Sequence, residues 1–178
     1  MYHSSIFSSV HLFPPYLISG EVTVNTSGYN YIYTLYNVKE ITNITFEVKG
    51  PRDAFIGLFP DIKSSFNGEK FYELVIGGWS NKKCAFRKVG YSGRVYRLTR
   101  ANQDSYLSAG AFRPYWISWQ NNFIRLGSGA TVGKNVILSY PDRTKPMKIN
   151  HLAFGAVGVV SNQFKYYNGL LLLRYIPS

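Results

Sequence analysis

Cysteine is nearly absent from the sequence, with Cys84 the single one among 178 residues. An internal disulfide framework is therefore excluded, and so is a zinc site built from paired cysteines. Cys84 alternates with Phe86 in a strand-like run, which places the two side chains on one face. We interpret Cys84 as a buried, inert thiol, because free cysteine is among the residue types most often found inside proteins.

Long hydrophobic runs and helical periodicity are missing as well. The longest uninterrupted apolar run is Leu170–Leu173, far short of the ~20 residues that a bilayer-spanning helix needs. No segment keeps a 3.6-residue hydrophobic period over ten or more residues, and no clear helix start is present. The sequence therefore predicts neither a membrane-spanning helix nor a mainly helical fold.

Histidine and acidic residues are scarce, with three and nine against 20 lysines and arginines. His3, His11 and His151 are spread along the chain, and none of them forms a pair at the spacing of metal ligands. Hydrolytic catalysis requires clustered titratable groups, which this pattern does not provide. We predict no catalytic residue, no metal site and no cofactor.

What the sequence does contain is a series of short strand-like runs separated by Gly, Asn, Pro and Ser. Such a series is typical of an antiparallel β-sandwich or jelly roll. We predict an all-β fold with an N-terminal arm or edge strand over residues 1–20 and a single β-sandwich domain over residues 21–178, since this length suits about one domain. The predicted strands are Tyr29–Leu35, Ile44–Lys49, Ala54–Phe59, Tyr72–Ile76, Lys83–Val89, Arg94–Leu98, Tyr106–Leu107, Tyr115–Trp119, Phe123–Leu126, Asn135–Tyr140, His151–Val160 and Gly169–Tyr175.

The segment from Phe71 to Trp119 is the most informative part of the chain and contains all three tryptophans. Two of its strand-like runs flank the sequence Gly-Gly-Trp-Ser-Asn over residues 77–81, which predicts a β-hairpin with a five-residue connection. A tryptophan at such a turn, here Trp79, is difficult to bury in a sandwich core. If the protein has a binding face, we expect it in this segment.

Positive charge dominates the chain, whose formal net charge is +11, with seven bases and no acid between Lys82 and Arg100. Such a field attracts nucleic acid, anionic lipid or acidic and sulfated glycans. No RNP-like or OB-fold run accompanies the charge, so nucleic acid is the less favoured partner. The abundant tyrosines suit half-buried strands or a recognition surface.

Aromatic, amide, acidic and basic residues fall together in these segments, and glycan sites use this combination. A sugar ring has an apolar face that stacks on an aromatic ring, while its polar rim needs hydrogen-bonding partners when it is buried. We predict a ligand site with Trp79 and either Tyr115 or Trp119 for stacking, Asn81, Glu73 and Asp142 for the hydroxyls, and Arg87 for anionic groups.

The same residues also have a purely structural interpretation. All three tryptophans could fill the core; Trp116 and Trp119 have opposite parity, so one points inward and the other outward. Glu73 could form a cross-strand ion pair with Arg87 or Lys83 on a solvated face, which is worth at most ~1 kcal/mol.

The first 20 residues lack the basic start and the continuous apolar run of a signal peptide. We expect the chain to be either cytosolic or a mature form that has lost its signal, and we favour the extracellular mature form. Two N-glycosylation sequons begin at Asn25 and Asn43, and they matter only if the protein is secreted.

Several of these motifs together resemble one family. They are Asp53–Leu58, Tyr72–Asn81, Arg87, Tyr115–Trp119, Ile124–Gly129 and Leu138–Asp142. The pattern resembles the farnesoic acid O-methyltransferase domain, which is named from crustacean and insect proteins, and the likeness covers Tyr29 to Lys165. The chain departs from the family at Phe55, where His is usual, and it lacks a Gly and Trp pair around residues 162–166.

The resemblance implies, through the family's name, methyl transfer from S-adenosylmethionine to a carboxylate. Nucleotide-type cofactors usually occupy a βαβ unit with a Gly-rich turn and an acid for the ribose. The one candidate run, Leu126–Gly133, contains no acid and is followed by the strand-like Val136-Ile137-Leu138. We therefore expect Gly127 and Gly129 to make a turn with a close backbone approach.

The prediction from the sequence is thus a non-enzymatic recognition module for a glycan or another hydroxyl-rich polymer. One alternative is an S-adenosylmethionine-dependent O-methyltransferase that acts on farnesoic acid. The other is an assembly subunit, homo-oligomers included, whose tyrosine-rich face binds protein. If Trp79 belongs to the core, the stripe of Tyr29, Tyr31 and Tyr33 is the alternative binding face.

Overall fold

The structure, a computed structural model, describes residues 20–28, 30–62, 69–90, 96–99 and 104–167. Twelve strands form two six-stranded sheets in this part of the chain. The strands are β1 (Glu21–Ser27), β2 (Tyr31–Asn37), β3 (Asn43–Lys49), β4 (Ala54–Phe59), β5 (Phe71–Gly77), β6 (Lys83–Val89), β7 (Tyr96–Leu98), β8 (Arg113–Gln120), β9 (Phe123–Ser128), β10 (Val136–Pro141), β11 (His151–Ala156) and β12 (Ser161–Tyr167).

Both sheets are antiparallel throughout, and the chain crosses repeatedly from one to the other. The first sheet has the order β1-β12-β3-β8-β9-β10 and the second has the order β2-β11-β4-β5-β6-β7. Consecutive strands such as β1 and β2, β3 and β4, or β11 and β12 belong to different sheets. The protein is therefore an all-β sandwich of the jelly-roll type, as its strand pattern predicts.

The core lies between the two sheets and is built from alternate residues of each strand. In β3, the apolar residues Ile44, Phe46 and Val48 are buried, while the polar residues between them are partly exposed. The Phe154 and Phe164 rings, one from each sheet, stack with centroids 4.3 Å apart. Burial of each such side chain stabilises the fold by ~1.5–3 kcal/mol.

The outer face of the second sheet carries a smaller cluster, which we call the outer aromatic cluster and which consists of Tyr31, Tyr33, Phe59 and Phe71. Phe59 and Phe71 stack at 4.4 Å, and Tyr31 meets both rings edge-on. The cluster covers Gly57, where a Cβ atom would lie 2.3 Å from the Phe59 ring, so no larger residue fits there. Strand β5 is consequently buried on both of its faces.

The predicted strands match the observed ones closely in the hairpin and less well elsewhere. The bounds of β4 and β6 are those predicted, whereas Tyr106–Leu107 is irregular chain. The run predicted as one strand over residues 151–160 is broken by a turn at Val157–Val160, where Gly158 has φ 57°. Strands β1 and β12 were not predicted, because polar residues such as the buried Asn162 interrupt their apolar pattern.

Two predicted segments cannot be compared with the structure. The N-terminal arm, apart from Gly20, and the strand predicted at Gly169–Tyr175 lie outside the described residues. Within the described residues, no helix is long and apolar enough to cross a membrane.

Candidate functional site

The connection between β5 and β6 is a left-handed turn, which presents Trp79 to solvent. Three successive non-glycine residues, Trp79, Ser80 and Asn81, have φ values of 51°, 57° and 66°. The left-handed conformation costs roughly 1–2 kcal/mol for each L-residue. Strain of this kind persists only where surrounding contacts fix it, and it is concentrated at functional sites.

Asn81 fixes the turn through its side-chain amide. The Nδ2 atom donates to the Leu107 carbonyl at 2.9 Å, and the Leu107 N–H donates to Oδ1 at 2.8 Å. The Lys82 N–H closes the turn on the Gly78 carbonyl at 3.0 Å. Gly77 begins the turn with φ 69°, and a Cβ atom there would lie 2.6 Å from Asn81 Oδ1. Asn81 is therefore a support of the turn, and its amide is directed at backbone.

A groove of about 360 Å³ lies beside this turn on the outer face of the second sheet. Trp79, which is 46% exposed, lies at its rim. The groove is lined by Asp53, Phe55, Glu73, Val75, Gly78, Trp79, Arg87 and Val157. An exposed tryptophan beside carboxylates and a guanidinium combines a stacking surface with hydrogen-bonding groups, which is the combination expected of a glycan site.

Glu73 and Arg87 face each other across the β5–β6 ladder and form the polar floor of the groove. The Arg87 Nη1 atom donates to Glu73 Oε2 at 2.7 Å, so Arg87 is the cross-strand partner. The Tyr31 hydroxyl donates to the other carboxylate oxygen at 2.6 Å. Burial, and next the neighbouring Glu73 charge, raises the pKa of Tyr31 well above its ordinary value, which keeps this hydroxyl a donor.

Asp53 provides a second carboxylate at the other side of the groove. It pairs with the Arg52 guanidinium at 2.6 Å, and its backbone has φ 53°. The Asn162 side chain donates to the Arg52 and Asp53 carbonyls, each at 3.2 Å, and the Asp53 N–H donates to the Gly77 carbonyl at 3.0 Å. The buried Asn162 thus holds the strained turn that carries Asp53.

Of the seven predicted ligand residues, the structure brings Trp79, Glu73 and Arg87 together. Tyr115, Trp119 and Asp142 lie elsewhere, on strands and loops of the first sheet. The site also contains residues that were not predicted as ligand groups, notably Asp53, Phe55 and Val157. Asp53 and Phe55 occur in one of the family motifs, which is the pattern that could have identified them.

Tyr115 and Trp119 share one face of β8, and that face is the core face. Tyr115 is 3% exposed, and its hydroxyl donates to the Tyr106 carbonyl. Burial raises the pKa of this hydroxyl. Trp119 is partly buried against the core. The Tyr115 ring therefore has no free face for a ligand, whereas Trp119 lines a separate small cavity of about 80 Å³ together with Asp142.

Trp116 has the opposite parity and lies on the other face of β8. It is nevertheless fully buried, because its ring covers Gly127 and its Nε1 atom donates to the Lys134 carbonyl at 2.8 Å. The opposite parity of Trp116 and Trp119 is as predicted, but the outward-facing Trp116 has no exposed surface to offer a ligand.

Asp142 is buried in a structural network at one end of the sandwich. The Lys88 Nζ atom donates to Asp142 Oδ2 at 2.7 Å and to the carbonyls of Thr144 and Lys145. The Tyr72 hydroxyl donates to the same Oδ2 atom at 2.5 Å. Asp142 is 1% exposed, so it anchors the loop after β10 and is not available to a glycan.

A larger cleft, of about 660 Å³, lies where β8 meets the segment before it. Its polar side chains already have intramolecular partners: Arg113 donates to the Ser105 and Tyr106 carbonyls, and Tyr115 donates to Tyr106. The smaller groove presents an exposed aromatic ring together with charged groups, which makes it the candidate functional site.

The glycine run 126–133 does not fit a nucleotide-type cofactor. Gly127 lies in β9 under the Trp116 ring, where a Cβ atom would meet the ring at 2.3 Å. Gly129 and Gly133 have φ near 89° and 88° and turn the chain into strand β10. This is the turn with close backbone approach that the sequence predicts. Among the described residues, no group of three metal-ligating His, Cys, Asp or Glu side chains is present.

Known structures with the same fold include several carbohydrate-active proteins. The carbohydrate binding module CBM66 from Bacillus subtilis superposes with a TM-score of 0.53 at 10% identity, covering 85% of this chain and 89% of that one. The Caenorhabditis elegans galectin LEC-6 gives 0.51 at 10% identity, with 83% and 95% covered. The laminarinase catalytic domain from Thermotoga maritima gives 0.51 at 9% identity, with 85% and 78% covered. At these identities the likeness establishes the sandwich fold alone.

At the level of sequence, a family model described as "Farnesoic acid 0-methyl transferase" matches residues 25–169. The matched stretch contains every residue that lines the groove. Comparison with curated proteins gives no match.

Proposed function

The chain belongs to the farnesoic acid O-methyltransferase family, and within that family we propose that it acts as a recognition module that binds glycans without catalysing a reaction. The observation that carries the proposal is the half-exposed Trp79, held by a strained turn over a groove whose floor is the Glu73–Arg87 pair. Keeping a large aromatic ring in solvent has no benefit for folding, since it forgoes the stability of burial.

The groove offers each type of contact that a sugar needs. The indole of Trp79 can stack on the apolar face of a ring, while the carboxylates of Asp53 and Glu73 accept from hydroxyl groups and Arg87 donates to them. Because Glu73 and Arg87 are already oriented by each other and by Tyr31, they bind with little loss of side-chain entropy. The carbohydrate binding module, the galectin and the laminarinase domain that share the fold support the same interpretation.

The proposal is tested by replacing Trp79 with alanine and measuring both binding and stability. On a glycan array, and then by calorimetry with the best array glycan, we expect affinity to fall by roughly 5- to 150-fold, the ~1–3 kcal/mol typical of a lost stacked aromatic. The melting temperature should change little, because Trp79 is 46% exposed.

Tyr167 provides the matched control. It is an aromatic residue of comparable exposure, 59%, on a strand of the other sheet. Tyr167→Ala should keep glycan affinity unchanged. Equal loss of binding in both variants, or a large loss of stability in Trp79→Ala with binding retained, would reject the groove as the binding site.

The methyltransferase activity in the family's name is the competing function. Calorimetry with S-adenosylmethionine tests it directly, and we expect no measurable heat of binding, because the glycine run packs under Trp116 and continues into a strand. Micromolar binding that the demethylated product competes away would favour the enzyme.

A further inference from the structure

We propose that the groove receives the terminal, uncharged residue of a glycan, which enters end-on, and does not bind an internal stretch of a polymer. The inference rests on the proposed function and specifies which part of a glycan the site takes. Two observations support it: the groove is closed at one end by packed aromatic rings, and its carboxylates are already paired with basic side chains.

The closed end is the outer aromatic cluster. The Tyr31 hydroxyl is bonded to Glu73, so the cluster begins where the polar floor of the groove ends. The Tyr31 ring then packs edge-on against Phe59 and Phe71, with centroids 5.5 and 5.6 Å away. These rings occupy the outer face across β2, β4 and β5. A polymer that ran along the strands beyond Glu73 would have to displace them.

The other boundaries also favour a short site. Trp79 stands at the hairpin end, and Val157 contributes from the turn that follows β11. The groove is open to solvent, and its volume of about 360 Å³ is near the lower limit of the ~300–1,000 Å³ usual for small-ligand sites. A groove with one closed end and a small volume suits the end of a chain better than its middle.

The groove is lined by two carboxylates and one guanidinium, and each carboxylate already has a basic partner, although Arg52 lies outside the lining. Glu73 pairs with Arg87 at 2.7 Å, and Asp53 pairs with Arg52 at 2.6 Å. An anionic sugar would have to compete with Glu73 for Arg87 while it also approached Asp53, and like charges at short range oppose binding. Uncharged hydroxyl groups can bond to these ion pairs without separating them. The groove therefore favours a neutral sugar, which revises the prediction that Arg87 pairs with anionic groups.

The test uses the full-length protein on an array of oligosaccharides fixed through their reducing ends. The probes are linear oligomers of glucose, galactose, mannose, fructose and N-acetylhexosamines, each also prepared with its free end capped by sialic acid or sulfate. We expect binding to follow the identity of the free terminal residue and not the linkage behind it. Capping should lower affinity by at least about tenfold, because the added group does not fit the closed groove.

The outcomes separate the inference from the function on which it rests. Binding that survives capping, or that grows with chain length at a constant end group, would show that the groove takes internal residues. Binding that sulfate or sialic acid strengthens would show that an anion is preferred. In both cases the protein still binds glycans, and only the end-on inference is wrong. Absence of binding to every probe would reject the proposed function and the inference together.

Variants of Tyr31 test the closed end directly. Tyr31→Ala removes the ring that ends the groove, so the difference in affinity between free and capped glycans should shrink severalfold. Tyr31→Phe removes only the hydroxyl bonded to Glu73 and keeps the ring, so the difference should remain. An unchanged difference in a folded Tyr31→Ala variant would show that the ring does not limit the site. If that variant does not fold, the array result with the native protein decides.

Discussion

The buried ion pair of Lys88 and Asp142 shows at the residue scale how this fold uses its charges. The two residues are 4% and 1% exposed, and the pair holds the loop that follows β10 through two backbone carbonyls. A buried pair of this kind is costly to break from one side, because the remaining charge is left without a counter-ion in a medium of low dielectric constant.

We expect Asp142→Ala to destabilise the protein by ~3–5 kcal/mol, because it leaves Lys88 buried without its carboxylate. Asp142→Asn keeps an acceptor oxygen for the Tyr72 hydroxyl and should cost less. Urea unfolding monitored by circular dichroism measures both losses. Equal stabilities of the two variants and the native protein would mean that the network does not support the fold.

Cys84 gives a prediction for alkaline pH. Burial raises the pKa of its thiol from 9.0 to about 12. The folded state then keeps a proton that the unfolded chain releases, so this contribution to stability is complete below pH 9 and is lost as pH rises toward 12. We expect the free energy of unfolding to fall with pH in this window, and to fall less in Cys84→Ala. The free energies of unfolding of the two proteins are measured by urea titration at pH 8 to 10.5. If they depend on pH in the same way, the Cys84 thiol does not have a raised pKa.

Which residues could be predicted from the sequence depends on how local their geometry is. Glu73 and Arg87 are paired by a single hairpin, for which the sequence indicates either Arg87 or Lys83 as the partner of Glu73, and Trp79 lies in its connection. The roles of Tyr115 and Asp142 depend on which face of the first sheet meets the second, and on a partner, Lys88, from another strand. These contacts join residues that are far apart in the chain, so the spacing of residues along the sequence does not indicate them.

The hairpin connection is the feature that matters most at the scale of elements. Its left-handed backbone is fixed by the Asn81 amide and by Gly77. The length of the connection was predictable, because Gly-Gly interrupts two alternating runs. The conformation of the connection was not predictable, because no sequence pattern indicates three successive L-residues with positive φ.

Replacing Asn81 should therefore weaken ligand binding, although the Asn81 side chain contacts the Leu107 backbone and not the ligand. Asn81→Ala loses the two hydrogen bonds to Leu107 and places a less tolerant residue at φ 66°; a loss of ~1–3 kcal/mol in stability follows. Asn81→Gly loses the same bonds but accepts the backbone conformation, so it should be the more stable of the two. Thermal melts measure the relative stability of the two variants. Glycan titration should show weaker binding than the native protein in both.

At the scale of the whole molecule, part of the positive charge is neutralised by ion pairs. Of the seven bases between Lys82 and Arg100, Lys88 is buried and Arg87 is paired in the groove. Among the bases of this segment that the structure describes, Arg97 is exposed, and Lys82 and Lys83 are partly exposed. These bases lie outside the groove, which is lined by two carboxylates and one guanidinium. The sandwich class was predictable from the many short strands; the order of strands in the sheets was not, because ladders such as β1–β12 join residues more than 130 positions apart.

We expect the protein to be retained on a heparin column and to elute at progressively lower salt as bases are removed, since retention by counterion release weakens steeply with ionic strength. Trp79→Ala should elute with the native protein, because the field does not depend on the groove. Retention that salt does not affect, or that is lost with Trp79, would mean that heparin occupies the groove itself.

The β1–β12 ladder also determines how this domain can be attached to a linker or to a host protein. Glu21 and Tyr167 are opposite each other in register, so both ends of the described chain leave one edge of the first sheet, about 5 Å apart at their Cα atoms. The groove opens on the outer surface of the second sheet. A single tether, whether a linker at either end or the loop of a host protein, would therefore hold the molecule by one layer and leave the layer that carries the groove turned outward.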